Sequence, residues 1–271
     1  MSNDSLTHPW LRVSVEGPVQ TVTLANPEQR NAQTPSLWAA LAEAAERTPP
    51  QVRVIVLRAE GQSFSAGLHR SILAPGGIPG EPDLMGLAAG AAVGLEEAIA
   101  GFQRGFTAWS ESPAVVVAAV QGHAIGAGFQ LALAADLRLL ADDAQLAMRE
   151  SSLGLVPDLA GTSPLVQLVG YSRALEICAT GRFVSAQEAV AMGLASAAVP
   201  GAELQAATDD LVAALLAVPE AALRELKPLL RSAISATPVE QLHVERQAQT
   251  RLLIGVAATL SSGGRRAGGV P

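Results

Sequence analysis

Four short runs of apolar and β-branched residues in the first half of the chain predict β-strands, at residues 11–16, 19–24, 52–58 and 115–120. Gly17-Pro18 separates the first two runs and predicts a hairpin. The run at 115–120 is apolar on both faces, which is typical of a strand in a sheet that is covered on both sides. A buried helix beginning at 126–135, with short strands at 137–140 and 145–148, is predicted to follow.

The helical pattern begins at Thr34, which suits the N-cap of a helix running to Arg47 with Pro35 in its first turn. A connection rich in Gly and Pro follows at 74–83, and residues 87–110 predict a long helix. Connections of this length within a compact domain often form a lid over a functional site.

Helical patterns dominate the second half, at 162–169, 173–179, 186–192, 203–217, 220–234 and 239–260. Strands that alternate with helices predict an α/β domain. We expect this domain to occupy residues 1–200, followed by a helical region at 201–262 and a flexible tail at 263–271.

Charge and hydropathy exclude several classes of function. The 271 residues carry a formal net charge of −7 without a basic stripe, so we expect no nucleic-acid partner. Residues 112–135 contain no Asp, Glu, Lys or Arg, and a segment of this length could cross a bilayer. Its proline, glycines and glutamines favour a strand, a turn and a buried helix instead, so we expect no membrane insertion. Residues 1–9 are polar and predict no signal peptide.

Cys178 is the single cysteine, so the chain forms no internal disulfide and no Cys-rich zinc site. We therefore expect a reducing, cytoplasmic setting and no metal. Cys178 lies in an apolar run, which favours a buried and unreactive thiol.

Two loops carry the strongest signal for chemistry. Residues 63–69 follow a strand and contain small residues and Gly67, which permit a tight turn with exposed backbone amides. Residues 121–133 combine a strand, a turn and a helix start with three glycines, and free amides at a helix start attract a negative oxygen. Close packing of the helix against the sheet explains these glycines equally well. Two amide donors that converge on one carbonyl would form an oxyanion hole, suited to a thioester enolate.

The segments Phe64-Ser65-Ala66-Gly67-Leu68, Gly126-Ala127-Gly128-Phe129-Gln130-Leu131-Ala132 and Asp136-Leu137-Arg138 resemble the oxyanion-hole segments of the enoyl-CoA hydratase/isomerase (crotonase) family. Further similar segments lie at 24–27, 30–32, 154–158, 161–162, 181–183 and 189–194, in the family's order. The resemblance implies a crotonase-like spiral of ββα units with C-terminal helices that assemble a homotrimer or a hexamer. It also implies an acyl-CoA thioester substrate, with coenzyme A as part of that substrate and no separately bound cofactor. The backbone N–H groups of Leu68 and Ala127 would be the oxyanion donors.

Carboxylates distinguish the members of this family. Hydratases use two glutamates, and the position of one of them is Gln130 here, which cannot cycle a proton. The other falls at Glu150, where an apolar cleft would raise the pKa of the carboxyl group and suit it to moving protons at carbon. A surface glutamate paired with Arg149 is the alternative. A single glutamate suffices to move a double bond from position 3 to position 2, so we expect an isomerase with Glu150 as the proton shuttle.

Three other residues are candidates for the site. His69 follows Leu68 and could titrate in the cleft, although a structural imidazole is the simpler interpretation. Asp158 could supply a second carboxylate, or it could cap the helix predicted near Thr162. Gln130 could hold a water. A hydratase that uses Glu150 with Asp158 or His69, or with a water held by Gln130, is therefore a second hypothesis. Loss of the second family glutamate would also fit a non-catalytic acyl-CoA-binding protein.

Arg30, Ala66 and Lys227 are candidates for contacts with coenzyme A. Lys227 is the only lysine in the chain and lies on a helix that resembles a nucleotide-contacting helix of the family. For Arg30 and Lys227, a solvated surface position explains the charge equally well.

Overall fold

The structure, a computed structural model, describes residues 8–264, and of residues 262–264 only the backbone. The chain divides into two compact units between Ala213 and Ala214. Most of the polar N-terminal segment and of the predicted tail lies outside the described residues, although the last helix continues as far as Gly264.

The described part of the first unit contains nine strands: β1 (Leu11–Glu16), β2 (Val19–Leu24), β3 (Val54–Ala59), β4 (Val115–Val120), β5 (His123–Ile125), β6 (Leu137–Ala141), β7 (Gln145–Ala147), β8 (Val184–Ser185) and β9 (Ala197–Val199). Six of them form a sheet in the order β1-β2-β3-β4-β6-β9, and the other three form a small sheet in the order β5-β7-β8. The pairs from β2 to β9 in the large sheet are parallel, while β1 and β2 form the predicted antiparallel hairpin.

The helices of the described chain are α1 (Pro35–Glu46), α2 (Leu84–Ala88), α3 (Ala92–Glu111), α4 (Ala127–Ala134), α5 (Thr162–Val169), α6 (Tyr171–Thr180), α7 (Ala186–Ala191), α8 (Leu204–Ala217), α9 (Glu220–Ser232) and α10 (Pro238–Gly264). Thr34 caps α1, as predicted, because its hydroxyl accepts a hydrogen bond from the Leu37 amide at 3.4 Å. Trp38 of α1 packs against Phe102 and Phe106 of α3, with ring centroids 5.3 Å and 5.9 Å apart.

The uncharged segment at 112–135 folds as predicted, into a strand, a turn and a buried helix. Every residue of β4 is buried, since β3 and β6 flank it and the core covers it. Within residues 8–264, no helix combines the length and the apolar character that crossing a membrane would require.

The long helix predicted at 87–110 is wrong in its first part. The structure has two helices there, α2 and α3, separated at residues 89–91. Gly90 lies in this break, and glycine weakens a helix by about 1 kcal/mol relative to alanine. Strands β5, β8 and β9 were not predicted, because two or three residues are too few to show a periodicity.

Arg138 is a buried structural cation that fixes α4 against the large sheet. Its side chain donates hydrogen bonds to the carbonyl oxygens of Leu194 at 2.7 Å and Ala135 at 2.6 Å. Burial lowers the pKa of Arg138 to about 10. Asp136 accepts a hydrogen bond from the Val116 amide at 2.8 Å, which ties the end of α4 to β4. The start of α4 is therefore held at a defined position relative to the sheet.

The second unit contains the end of α8, followed by α9 and α10. Arg251 of α10 donates two hydrogen bonds to Glu225 of α9, at 2.8 Å and 2.7 Å. Gln241 of α10 donates to the Leu229 carbonyl at 3.1 Å. These contacts hold the two helices together within the unit.

Candidate active site

The first loop, residues 63–69, is held by a polar cluster beneath it. The Asn31 side chain donates to the carbonyl oxygens of Glu60 and Ser63, both at 2.8 Å. The Ser65 hydroxyl donates to the Asn31 carbonyl at 2.7 Å and accepts from the Gly67 amide at 3.2 Å. Each of these polar groups is buried, and satisfied buried networks of this kind specify one conformation.

The second loop, residues 121–126, carries β5 and leads into α4. The first loop pairs with it in parallel, through a bridge between Ser65 and Ala124. The Ser65 amide donates to the His123 carbonyl at 2.9 Å, and the Ile125 amide donates to the Ser65 carbonyl at 3.0 Å. Three residues beyond the bridge, the segments reach Leu68 and Ala127. A Cβ built on Gly67, the residue before Leu68, would lie 3.4 Å from the Ala127 nitrogen, so the first loop passes close to the start of α4.

Two glycines allow the loops to approach this closely. Gly67 has a φ of +84°, and a Cβ there would overlap the carbonyl oxygen of Ile125 and lie 3.4 Å from the Ala127 nitrogen. A Cβ at Gly128 would lie 2.6 Å from the Ser65 carbonyl oxygen. Side chains at either position would push the loops apart.

Within the described residues, the backbone N–H groups of Leu68 and Ala127 have no hydrogen-bond acceptor. The amides on either side of Leu68 are satisfied, since Gly67 donates to Ser65 and His69 donates to the Gln33 carbonyl at 2.8 Å. Ala127 is the first residue of α4, where an amide lacks a partner within the helix. Two neighbouring amides are thus available to an acceptor, and the start of the helix favours a negative one.

Glu150 lies beside the second loop. A Cβ built on Gly126 would lie 3.2 Å from Glu150 Oε1, so the carboxylate faces the residue immediately before Ala127. Burial raises the pKa of Glu150, and the nearby Asp158 adds to this, while a hydrogen bond from Gln130 opposes it. Pairing with Arg149 is wrong, because the Arg149 guanidinium donates to the Gly181 carbonyl at 3.0 Å and lies over the Phe183 ring.

Gln130 lies on α4 and is fully buried. Its Nε2 donates to Glu150 Oε1 at 2.7 Å. Its Oε1 accepts from the amides of Leu159 at 2.9 Å and Gly161 at 3.2 Å. Both lone-pair directions of Oε1 are therefore used, so Gln130 could hold a water only through the second N–H of Nε2.

Asp158, Cys178 and His69 differ in their burial and in their relation to Glu150. Burial raises the pKa of Asp158, and the charge of Asp158 contributes to the raised pKa of Glu150. Asp158 does not cap α5, whose N-cap is Gly161 without a side-chain bond. Cys178 is half-buried rather than buried as predicted, and burial and the charge of Glu150 raise the pKa of its thiol, which makes it a poor nucleophile. The His69 side chain is half-buried, and its Nδ1 is buried without a hydrogen-bond partner.

The candidates for coenzyme A contacts are divided between the two units. The Arg30 carbonyl accepts a hydrogen bond from the Ala66 amide at 2.8 Å, so Arg30 adjoins the first loop. Arg30 is exposed and has a left-handed backbone with a φ of +50°. Lys227 is buried on α9 in the second unit.

Asn31 and Ser65 were not recognised from the sequence as residues that build the site. The structure gives Asn31 a φ of +52°, a conformation in which asparagine is enriched. The presence of an asparagine at this position was therefore the available signal. Its partners at Glu60 and Ser63 lie about thirty residues away, so no local pattern indicates them.

Replacing Gly67 with alanine tests the contact between the loops. We expect Gly67→Ala to lower the free energy of unfolding by about 1–3 kcal/mol more than Gly76→Ala, measured by urea unfolding. Gly76 is a matched control, since its φ is +80° but its surroundings are open. That control isolates the cost of a left-handed alanine, about 1–2 kcal/mol. Equal losses in the two variants would contradict the close approach.

The raised pKa of Glu150 predicts a pH-dependent cost to stability. The folded state favours the protonated form, so this stabilising contribution is complete below the pKa of the unfolded chain, about 4.3. It is lost as the pH rises through the folded pKa. Glu150→Gln stays neutral, so its unfolding free energy should increase relative to the wild type from about pH 4 upward and then level off. Urea unfolding across this range, with Glu43→Gln as the control, would contradict the assignment if the difference stayed constant.

Comparison with known proteins identifies relatives along most of the chain. The family model for enoyl-CoA hydratase/isomerase matches residues 14–254. The carnitinyl-CoA dehydratase of Salmonella typhi is 34% identical over 234 residues, which are 85% of this chain and 83% of the dehydratase.

Solved structures agree with this match. A protein assigned as an enoyl-CoA hydratase from Thermobifida fusca YX, in complex with acetoacetyl-CoA, superposes with a TM-score of 0.87 at 46% identity and covers 91% of this chain and 95% of its own. Its complex with CoA gives a TM-score of 0.87 at 45% identity over 92% and 95% of the two chains. DspI of Pseudomonas aeruginosa is more distant, with a TM-score of 0.82 at 26% identity over 97% and 98%. These matches confirm the predicted crotonase-like fold, and the chain therefore belongs to the enoyl-CoA hydratase/isomerase family of enzymes.

Proposed function

We propose that the protein isomerises an enoyl-CoA thioester by moving its double bond from position 3 to position 2. Glu150 removes a proton from C2, and the electron pair is delocalised onto the thioester oxygen as a dienolate. Glu150 then returns the proton at C4, which leaves the double bond between C2 and C3. The carboxyl group ends the cycle in its initial ionised state, so no external acid or base is consumed.

The position of Glu150 carries this proposal. Its carboxylate adjoins Gly126, directly before the free amide of Ala127, so a base and an anion-stabilising amide lie at one place. The raised pKa brings the carboxyl group closer to the pH at which proton transfer in both directions is efficient. Glu150 Oε2 is buried and has no hydrogen-bond partner in the described chain, so no described protein group competes with a substrate for it.

The amides of Leu68 and Ala127 would stabilise the dienolate oxygen. They are preorganised by the bridge between the loops, so little reorganisation accompanies the appearance of charge. A thioester of coenzyme A fits this chemistry, since the neighbouring Thermobifida fusca structures contain acetoacetyl-CoA and CoA. Arg30 and Ala66, beside the first loop, would contact the coenzyme A portion, with Lys227 as a further candidate.

Hydration or dehydration is the second candidate function. It is favoured by Asp158, which is close enough to raise the pKa of Glu150 and could act as a second acid or base. The relatives assigned as an enoyl-CoA hydratase and a carnitinyl-CoA dehydratase also agree with it. Binding without catalysis is not supported, because these relatives are named as enzymes.

Activity with two substrates separates the candidates. With a 3-enoyl-CoA, formation of the conjugated thioester can be followed by its ultraviolet absorbance. We expect Glu150→Gln to lower kcat by about 10²–10⁴-fold, the usual contribution of a positioned acid or base. Glu43→Gln, far from the site in an exposed ion pair, is the control. Unchanged turnover in Glu150→Gln would exclude both candidate mechanisms.

Asp158→Asn then distinguishes isomerisation from hydration. If Glu150 acts alone, this variant should isomerise a 3-enoyl-CoA at a rate close to that of the wild type. If Asp158 is a second acid or base, hydration of crotonyl-CoA should fall by about 10²-fold or more in the variant. Turnover of crotonyl-CoA without any isomerisation of 3-enoyl-CoA in the wild type would exclude the isomerase.

A further inference from the structure

The amide group of Gln130 can adopt one orientation only. Its Oε1 accepts hydrogen bonds from two backbone amides, those of Leu159 and Gly161. A rotated amide would direct N–H groups at those two donors, and it would leave all of them unsatisfied in a buried position. Such unsatisfied groups cost about 1–3 kcal/mol each. The turn at 159–161 therefore fixes which end of Gln130 faces Glu150.

The end that faces Glu150 is always a donor. Nε2 of Gln130 lies 2.7 Å from Glu150 Oε1, and an amide nitrogen cannot accept a proton from a protonated carboxyl group. In a protonated carboxyl group the carbonyl oxygen is the stronger acceptor, so the donor Nε2 favours Oε1 as the unprotonated oxygen in both states of Glu150. The other oxygen, Oε2, is buried and without a hydrogen-bond partner among residues 8–264.

We propose that Gln130 is a positioning residue that holds Glu150 by Oε1 and so makes Oε2 the oxygen that carries the transferred proton. This inference rests on the proposed function of Glu150 and explains why a glutamine, rather than an acid, suits position 130. Gln130 does not touch the substrate in this proposal. It acts through Glu150, by orienting the carboxylate and by stabilising its ionised form.

Other groups near Glu150 are Asp158 and Cys178, both of which have raised pKa values. The guanidinium of Arg149 is turned away towards Gly181 and Phe183. All of these groups are unchanged when Gln130 alone is replaced. A change in the titration of Glu150 in such variants therefore reports on the hydrogen bond from Nε2.

Two substitutions separate the hydrogen bond that Nε2 donates to Glu150 from the hydrogen bonds that Oε1 accepts from Leu159 and Gly161. Gln130→Met removes every hydrogen bond of the side chain. Gln130→Glu retains an oxygen that can accept from Leu159 and Gly161, but it replaces the donor to Glu150 with a second carboxylate. Gln20→Met is the matched control, because Gln20 is equally buried and its Nε2 donates to the Ala44 carbonyl at 3.0 Å, far from Glu150.

The protonation of Glu150 can be measured without a substrate, as the infrared carboxyl band of each protein minus that of the same protein with Glu150→Gln. We expect Gln130→Met to raise the midpoint by about one pH unit, since a hydrogen bond to a charged group contributes about 1.5–3 kcal/mol. The upper apparent midpoint of the coupled pair in Gln130→Glu should rise as well. The pH profile of kcat should move with the midpoint, while KM stays near the wild-type value.

The control and the two readouts make each outcome decisive. An unchanged midpoint in Gln130→Glu, or the same shift in Gln20→Met, would overturn the positioning role. If Gln130→Met does not fold, Gln130→Glu still tests the hydrogen bond from Nε2 to Glu150, because an oxygen that accepts from the turn at 159–161 is retained. Absence of isomerisation by the wild type, with the midpoints shifted as expected, would count against the proposed function and leave the positioning role intact.

Discussion

The parallel contact between Ser65 and Ala124 is the constraint on which the site depends. It brings Gly67, the residue before Leu68, close to the Ala127 nitrogen, and the amides of Leu68 and Ala127 are left without acceptors within the described chain. The contact is short because Gly67 lacks a Cβ, and it is held from below by Asn31. A shift of one residue in this pairing would separate the two amides, however well the rest of the sheet were formed.

The Glu150 carboxyl group is held in a partly buried position, although bulk water would solvate its charged form better. Glu150 is half-buried, its Oε2 is shielded from solvent, and its Oε1 accepts one hydrogen bond from a side chain, whereas an exposed glutamate would be fully hydrated. Packing of the core of the first unit offsets the free-energy cost of this desolvation, and Arg138 anchors the far end of α4. Desolvation of this kind is characteristic of functional sites.

Local patterns in the sequence determined the elements that could be predicted. Strands β1, β2 and β4 and helix α5 have the predicted bounds, since six to eight residues of regular pattern suffice to define them. The site was identified in part through the resemblance to a family, which directed attention to Glu150 and Gln130. The contacts of Gln130 with Leu159 and Gly161 were not foreseen, because they join residues about thirty positions apart. The same holds for β5, whose three residues form a strand only by pairing with β7.

Gly161 adjoins the Gln130 side chain so closely that the two positions cannot vary independently. A Cβ at 161 would lie 2.6 Å from Gln130 Cγ, while the neighbouring Ala160 already has a φ of +64°. Any larger residue at 161 requires a shorter side chain at 130, which would no longer reach Glu150. Homologous sequences should therefore show correlated substitution at these two positions, and an engineered library that introduces larger residues at 161 should vary position 130 at the same time.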